Sequence, residues 1–371
     1  MTSPLKIVFV VPGLGPGGAE RSTGNLARGL SDQGQYVTVI ALDHESEPCY
    51  VELGPAVRLI RLGLWAPSRN CVEAVRANTR RILILRAHIR ALNPDCVISA
   101  VTETNVVALL ATGKQAPVIV WEHTDPYRWH LKRYWRWARW MMYRRAASLV
   151  VLSEYHASYF KKRFFDIRLV TIPNSILLKN ETSEIPNELT RHEPFILAVG
   201  RLDRFKGVHL LLTLFAKLNA HQRGWSLVIV GDGDQRSVLE QLAEELEIVE
   251  AVCFAGAVTD PHSYYRACDI FVSLSEIEGF PMALLEAMSY GCPVVINEYS
   301  PAVYDIVKNG KNGFVVNRND LAGTCDVINR LMNDEELKRN IGEEAKSIQE
   351  QLSLPNVLKY WQVLIATLVW S

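Results

Sequence analysis

The sequence predicts an α/β protein built from two doubly wound parallel sheets. Three observations carry that expectation. Apolar runs of strand length alternate with stretches of helical spacing, the pattern of parallel strands covered by helices on both faces. The alternation stops at a polar stretch, "LLKNETSEIPNELTRHEP" over 177–194, and then restarts. Such a stretch, poor in large apolar residues, suits a link between domains. Finally, 371 residues with 49% apolar content exceed what one hydrophobic core usually covers. The expected division is a first domain over 1–176, a linker over 177–194, a second domain over 195–352 and a terminal helix over 353–371.

In the first half the strand runs are "KIVFVV", "YVTVIAL", "DCVISA", "APVIVW", "ASLVVLS" and "RLVTIPN". The second half supplies "FILAVG", "SLVIVG", "VCFAG", "IFVSLS", "PVVIN" and "GFVV". Ligands of such sheets bind outside the carboxyl ends of the strands. The first strand runs into "GLGPGG", where Gly13, Gly15 and Gly18 spell G-x-G-x-x-G, and Asp43 closes the second strand. That is the spelling of a dinucleotide turn with its ribose-binding acid, so an NAD-dependent oxidoreductase is one reading. The last apolar run, "VLKYWQVLIATLVW", has helical spacing; it either caps the second domain or returns to the first.

Composition narrows the setting. No run of about 18 uncharged apolar residues marks a membrane-spanning helix, and "MTSPLK" leads straight into a strand without a secretory pattern. Seven cysteines without a C-x-x-C pair argue against a disulfide framework or a zinc site. A reducing, cytoplasmic compartment is expected. Net charge is zero but divided: 23 Lys/Arg against 13 Asp/Glu over 1–175, and 17 against 27 over 176–371. The halves thus carry +10 and −10. Either two solvated surfaces face each other, or the first half meets an anionic partner. No recognition motif supports nucleic acid as that partner.

The second half holds the specific signals. In "VGRLDRFKG", Arg201 and Lys206 flank a turn at a strand's carboxyl end, where two cations suit a diphosphate. In "EIEGFPMALLEAMSYGCPVV", Glu278 and Glu286 are spaced E-x7-E around a helix start, with Pro281 in its first turn and Gly291 at its end. The free N–H groups of that first turn point at an anion. Glu286 lies within the apolar "MALLEAM", where an uncompensated carboxylate is costly. Asp232-Gly233-Asp234 spells D-x-D, but one such loop offers too few hard ligands for an octahedral ion, and no metal is expected.

These motifs resemble the retaining family-4 glycosyltransferases, and the resemblance covers nearly the whole chain. "GPGGAER", "WEHTDP", "IPNSI", "GRLDRFKG", "LVIVGDG", "EGFPMALLEAMSYGCPVV" and "YWQVL" are similar to that family's segments in the same order. The resemblance implies the GT-B fold, two Rossmann-like domains facing a central cleft, with the last helix crossing back. It implies a hexosyltransferase that is retaining and metal-independent, with a nucleotide-sugar as substrate and no cofactor. Arg201 and Lys206 would hold the diphosphate, Glu278 the transferred sugar and Glu286 the ribose. Phe280, Pro281 and the backbone at Met282, Ala283 and Leu284 would meet a phosphate. Gly17 and Gly18 would close over the donor, and His123 would sit beside the sugar. Gly231 and Gly233 would lie by the base, gripped mostly through backbone, so that a UDP-sugar is favoured and GDP-mannose stays open. A non-catalytic nucleotide-sugar-binding scaffold at the membrane is the other open reading.

Two basic helices are expected in the first half. Over 72–92, Ala74, Val75, Ile82, Leu85, Ile89 and Leu92 would form the buried face, with Arg76, Arg80 and Arg90 off it. Over 128–145, Leu131, Tyr134, Trp137, Ala138 and Met141 would be buried. Arg128, Lys132, Arg136 and Arg139 would line the opposite side, edged by Trp129 and Trp140. Arginine beside interfacial tryptophan is the composition of a helix on anionic lipid. It suits a glycan acceptor on an undecaprenyl-diphosphate carrier and a peripheral place on the inner face of the cytoplasmic membrane.

Overall fold

The structure, a computed structural model, describes residues 3–65, 71–164, 166–177, 194–317 and 319–370. The expected linker, 177–194, lies outside them except for its two end residues. The chain forms two compact units, one of Met1–Ser175 with Leu354–Ser371 and one of Ile176–Ser353.

The first unit is built on a parallel sheet of β1 (Lys6–Val11), β2 (Tyr36–Ala41), β3 (Arg58–Arg61), β4 (Cys96–Ala100), β5 (Val118–Trp121), β6 (Ser148–Val151) and β7 (Leu169–Thr171). Their order across the sheet is β3-β2-β1-β4-β5-β6-β7. The helices between its strands include α1 (Gly18–Asp32), α2 (Cys71–Leu92), α3 (Thr102–Thr112), α4 (Arg133–Met142) and α5 (Glu154–Lys161). The order reverses between β1 and β4, and the glycine turn after β1 stands at that switch. The sequence pattern did not reveal β3, "RLIR", because an edge strand with arginine at both ends carries no apolar run.

The second unit repeats the plan with β8 (Phe195–Val199), α6 (Val208–Lys217), β9 (Ser226–Val230), α7 (Arg236–Glu245), β10 (Val252–Gly256) and α8 (His262–Ala267). It continues through β11 (Ile270–Ser273), α9 (Met282–Ser289), β12 (Val294–Asn297), α10 (Val303–Ile306) and β13 (Phe314–Val316), then α11 (Leu321–Asn333), α12 (Glu335–Ala345) and α13 (Ile348–Leu352). Its order, β10-β9-β8-β11-β12-β13, reverses between β8 and β11. The loop with Arg201 and Lys206 follows β8, and the loop with Glu278 follows β11, so the switch brings them side by side.

The last helix, α14 (Leu354–Val369), belongs to the first unit. Its Trp361 is fully buried, with its ring 4.8 Å from that of Trp121 and edge-on to it. On α1, Gly29 makes room for Leu354 and Leu358; a Cβ there would stand 2.6 Å from a Leu358 methyl.

Two amphipathic faces differ from expectation. On α2 the buried residues include Leu85 and Ile89, but Val75 is exposed, and Arg81 is buried with Nε donating to the Leu64 carbonyl at 2.8 Å. The second basic helix starts at Arg133, so Arg128 to Lys132 form a preceding loop rather than a helical stripe. Its inward side is Trp135, Ala138, Arg139 and Met142, while Tyr134, Trp137 and Met141 are exposed. The helix is turned by about one residue, about 100°, because a buried acid, described below, draws Arg139 inward.

A glycine sets how the helix with E-x7-E is supported. Gly291 (φ +79) follows the cap of α9, and Gly342 of α12 rests on it: a Cβ on Gly342 would lie 2.2 Å from the Gly291 carbonyl oxygen. Helix propensity alone favours alanine at 342 by about 1 kcal/mol, whereas overpacking a core contact costs about 1–3 kcal/mol. Gly342→Ala should therefore destabilise the protein, by up to about 2 kcal/mol, in denaturant unfolding. A gain in stability would show that α12 does not bear on the end of α9.

Candidate active site

In the second unit the strand-end loops are stitched together through backbone. The Leu202 N–H donates to the Asp232 carbonyl at 2.9 Å, and the Gly231 N–H to that of Gly256 at 2.8 Å. A Cβ on Gly231 would stand 1.8 Å from the Gly200 carbonyl oxygen, and one on Gly233 2.4 Å from that of Leu202. These glycines thus let the loops after β8 and β9 touch, a packing reason for a motif read from the sequence as a base grip. Gly207 adopts φ +67, and a Cβ there would lie 2.3 Å from the Leu274 carbonyl oxygen. This close approach seats Lys206 beside the loop that follows β11.

There Lys206 and Glu278, distant in sequence, meet: Nζ donates to Oε1 at 2.6 Å, with both side chains mostly buried. Arg201 is exposed and its Nε donates to Asp203 Oδ2 at 2.9 Å. Phe280 and Pro281 lead from Glu278 to Met282, where α9 begins; Pro281 occupies the cap position and no side chain caps this end. The first i→i−4 bond runs from Leu285 N–H to the Pro281 carbonyl, so the amides of Ala283 and Leu284 precede the helix's own ladder. The helix also turns its positive dipole end toward this loop. Glu286 is buried, and the Tyr265 hydroxyl of α8 donates to its Oε2 at 2.9 Å. Tyr265 was not found from the sequence. Its pairing with Glu286 depends on two helices meeting in space and leaves no spacing signal.

The first acid of the D-x-D pair is otherwise engaged. Asp232 accepts from the Gly233 N–H at 2.8 Å and stands 3.6 Å from Arg236, while Asp234 is exposed. Among the described residues, no three His, Cys, Asp or Glu side chains come together as a metal would need.

In the first unit, Gly17 caps α1 and Gly18 opens it. The Glu20 carboxylate folds so closely over Gly17 that a Cβ there would lie 2.1 Å from it. Asp43 does more than close a strand: its Oδ2 accepts the Leu14 N–H at 3.0 Å, and its Oδ1 lies 3.6 Å from Arg61 Nε. It thereby anchors the glycine turn, with both oxygens turned to groups of the chain rather than free as a ribose hook. His123 follows β5, buried, its ring 4.2 Å from that of Trp121. Burial pushes its imidazole down to about 3, so the ring is neutral near pH 7.

Arg76 and Arg80 are exposed on α2. Arg128 is half-buried in the loop before α4, Trp129 and Lys132 are exposed there, and Arg136 and Trp140 are exposed on α4 itself. Tyr134, Trp137 and Met141 add to this face, and the Arg144 guanidinium lies over the Trp140 ring at 4.9 Å. No acid occurs between Asp125 and Glu154. Among the described residues no helix is long and apolar enough to cross a membrane.

Comparison with known proteins identifies this arrangement. Residues 16–179 match the model "Glycosyltransferase Family 4", and residues 180–348 match "Glycosyl transferases group 1". An uncharacterized glycosyltransferase of Haemophilus influenzae is 25% identical over 97% of this chain and 99% of its own. A Campylobacter jejuni enzyme, GalNAc-alpha-(1->4)-GalNAc-alpha-(1->3)-diNAcBac-PP-undecaprenol alpha-1,4-N-acetyl-D-galactosaminyltransferase, is 26% identical over 98% of each chain. The crystal structure of HepE from Anabaena in complex with UDP superposes with a TM-score of 0.75 at 18% identity, over 98% of this chain and 100% of that one. The likeness to HepE shows a shared fold; with family models matching both halves, over 16–179 and 180–348, the chain belongs to the family-4 glycosyltransferases.

Proposed function

We propose that the protein moves a sugar from a nucleotide-sugar, a UDP-sugar before GDP-mannose, to a lipid-linked or polysaccharide glycan, with retention and without a metal ion. The Lys206–Glu278 pair beside the uncapped start of α9 carries this reading. It sets a cation, a hydroxyl-binding carboxylate and two free amides around one loop. Arg201, Lys206 and the amides of Ala283 and Leu284 would take the negative charge that grows on the departing diphosphate. Glu278 would accept from sugar hydroxyls. Glu286, its other bond held by Tyr265, would accept from the ribose. The bond from the anomeric carbon to the phosphate oxygen breaks as the acceptor oxygen bonds on the same face, and the acceptor's proton passes to the leaving phosphate oxygen. His123, neutral, would donate a hydrogen bond to the sugar rather than serve as a base. UDP in the HepE complex and the undecaprenol-diphosphate glycan in the Campylobacter enzyme's name support the choice of donor and acceptor.

The same reading places the protein peripherally on the inner face of the cytoplasmic membrane. Exposed Trp129, Tyr134, Trp137 and Trp140 among Lys132, Arg133 and Arg136 have the chemistry of an interfacial face on anionic lipid. Arg76 and Arg80 would add attraction at longer range.

Lys206→Ala should lower turnover of a UDP-sugar by about 100-fold, as loss of one charge-stabilising donor does elsewhere. Glu286→Ala should weaken UDP binding in calorimetry. Wild-type behaviour of both variants would refute the site. Trp137→Ala/Trp140→Ala and, separately, Arg133→Glu/Arg136→Glu should release the protein from phosphatidylglycerol vesicles in sedimentation; undiminished binding by both would refute the docking face.

Stability should also depend on pH through the buried histidines. Burial holds His123 at about 3 and His156 at about 4, against 6.5 for an exposed imidazole. Between about pH 6.5 and 4 the unfolded chain therefore binds more protons, and stability falls as pH falls, by up to roughly 1.4 kcal/mol per pH unit for each histidine. Burial raises the carboxyls of Glu103, Glu122 and Asp125, which tilts the curve the other way. The difference between wild type and His123→Phe isolates the histidine. Wild type should lose stability relative to the variant on going from pH 6.5 to 4. A flat difference would mean that His123 is not held neutral.

A further inference from the structure

One buried charge network joins the docking helix to the strand end that carries His123. Glu122, the residue before His123, is 2% exposed. The Thr102 hydroxyl faces both its oxygens, at 2.9 and 3.0 Å, and the Tyr143 hydroxyl donates to Oε1. Arg139 of α4 is 6% exposed, with Nη1 4.0 Å from the same Oε1. Its Nη2 donates to the Tyr159 hydroxyl at 3.2 Å, and its guanidinium lies over the rings of Tyr159 and Phe160 in α5. Tyr143 accepts from Asn105, which also donates to the Trp121 carbonyl. Thr102, Tyr143 and Arg139 converge on one carboxylate.

Backbone strain marks the same spot. Val101, between β4 and α3, has φ +74 and ψ 138, a region a β-branched residue avoids. Such a conformation costs on the order of 1–3 kcal/mol and persists where the surroundings over-determine it. Here the Val101 N–H donates to the Trp121 carbonyl at 3.1 Å, and the next residue is Thr102, on Glu122. A buried ion pair is itself a poor stabiliser: apolar replacement of both partners is often neutral or favourable. Two costly features thus stand together beside His123, whose ring rests on Trp121 and whose Nε2 makes no hydrogen bond among the described residues. Its position is inherited from the strand end.

We propose that Arg139 and Glu122 are positioning residues for sugar transfer: through them, engagement of α4 with an anionic surface sets the strand end that carries His123. This rests on the docking face proposed above. Arg139 and the exposed Trp137 and Trp140 belong to one rigid helix of ten residues. Any tilt of that helix is felt at Glu122, and from there through one peptide unit at His123.

The test is hydrogen exchange read by mass spectrometry on the full chain, with and without phosphatidylglycerol–phosphatidylcholine vesicles. In wild type, vesicles should slow exchange on the order of tenfold both in α4 and at 122–125. In Arg139→Met/Glu122→Gln, which removes both charges at similar volume, the melting temperature should be at or above that of wild type. There α4 should still be protected by vesicles and 122–125 should not respond. Arg139→Lys, which keeps the charge but loses the planar fork, should restore part of the response. Equal protection of 122–125 in the double variant would overturn the proposal, as would silence there in wild type while α4 is protected. A destabilised double variant, with 122–125 exchanging fast even without vesicles, would mean a purely structural pair and overturn it too. If α4 itself gains no protection in wild type, the docking face falls first and the proposal falls with it.

Discussion

The candidate site of the second unit depends on backbone touching backbone where parallel strands end. At Gly207, Gly231 and Gly233 a single added carbon would collide with a neighbouring carbonyl. Those three contacts bring the loops after β8, β9 and β11 close enough for Lys206 to reach Glu278 and for both to stand beside the start of α9. A sheet whose order reverses beside its first strand leaves a crevice at that place. The glycines convert the crevice into a defined site. The same logic sets the turn after β1, where Asp43 binds the Leu14 amide and holds the loop against the sheet.

Among the described residues, four buried acids each have a named partner; Asp125 accepts from the Tyr127 N–H at 2.8 Å. Glu286 has Tyr265, Asp43 has Leu14 and Arg61, and Glu122 has Thr102, Tyr143 and Arg139. An unpartnered carboxylate in such places would cost several kcal/mol, which explains why each sits where a hydroxyl, amide or guanidinium reaches it. None of these arrangements is needed to bury apolar surface. Asp43 and Glu122 stand just past the carboxyl ends of their strands, and Glu286 lies in the second turn of α9.

Much of this was legible in the sequence because strands and their end loops are local. An apolar run followed by glycine announces a buried strand and its turn, and E-x7-E around a proline announces a helix start flanked by acids. What stayed hidden was long-range. Tyr265 finds Glu286 across two helices, and nothing in "SYYRA" marks the second tyrosine for that task. Asp43 has the spacing of a ribose hook, yet its oxygens are turned to a loop amide and an arginine. β3 escaped because edge position, rather than its own composition, makes "RLIR" a strand.

The misread face of α4 is the most instructive case. A periodicity argument buries tryptophan and tyrosine and exposes arginine, since apolar surface leaves water at roughly 25 cal/mol per Å². Here Arg139 goes in and Trp137 stays out. The inward Arg139 stands beside the buried charge of Glu122, which Thr102 and Tyr143 also hold, and packs its guanidinium over Tyr159 and Phe160; that combined environment outweighs the aromatic preference. The exchange has a second effect: it turns Tyr134, Trp137 and Met141 outward in a stretch without acids. An exposed aromatic face is costly to an isolated soluble domain, but at a lipid headgroup layer it is an asset. The Glu122–Arg139 pair therefore accounts for two observations at once, the tether beside His123 and the aromatic face turned to the surroundings.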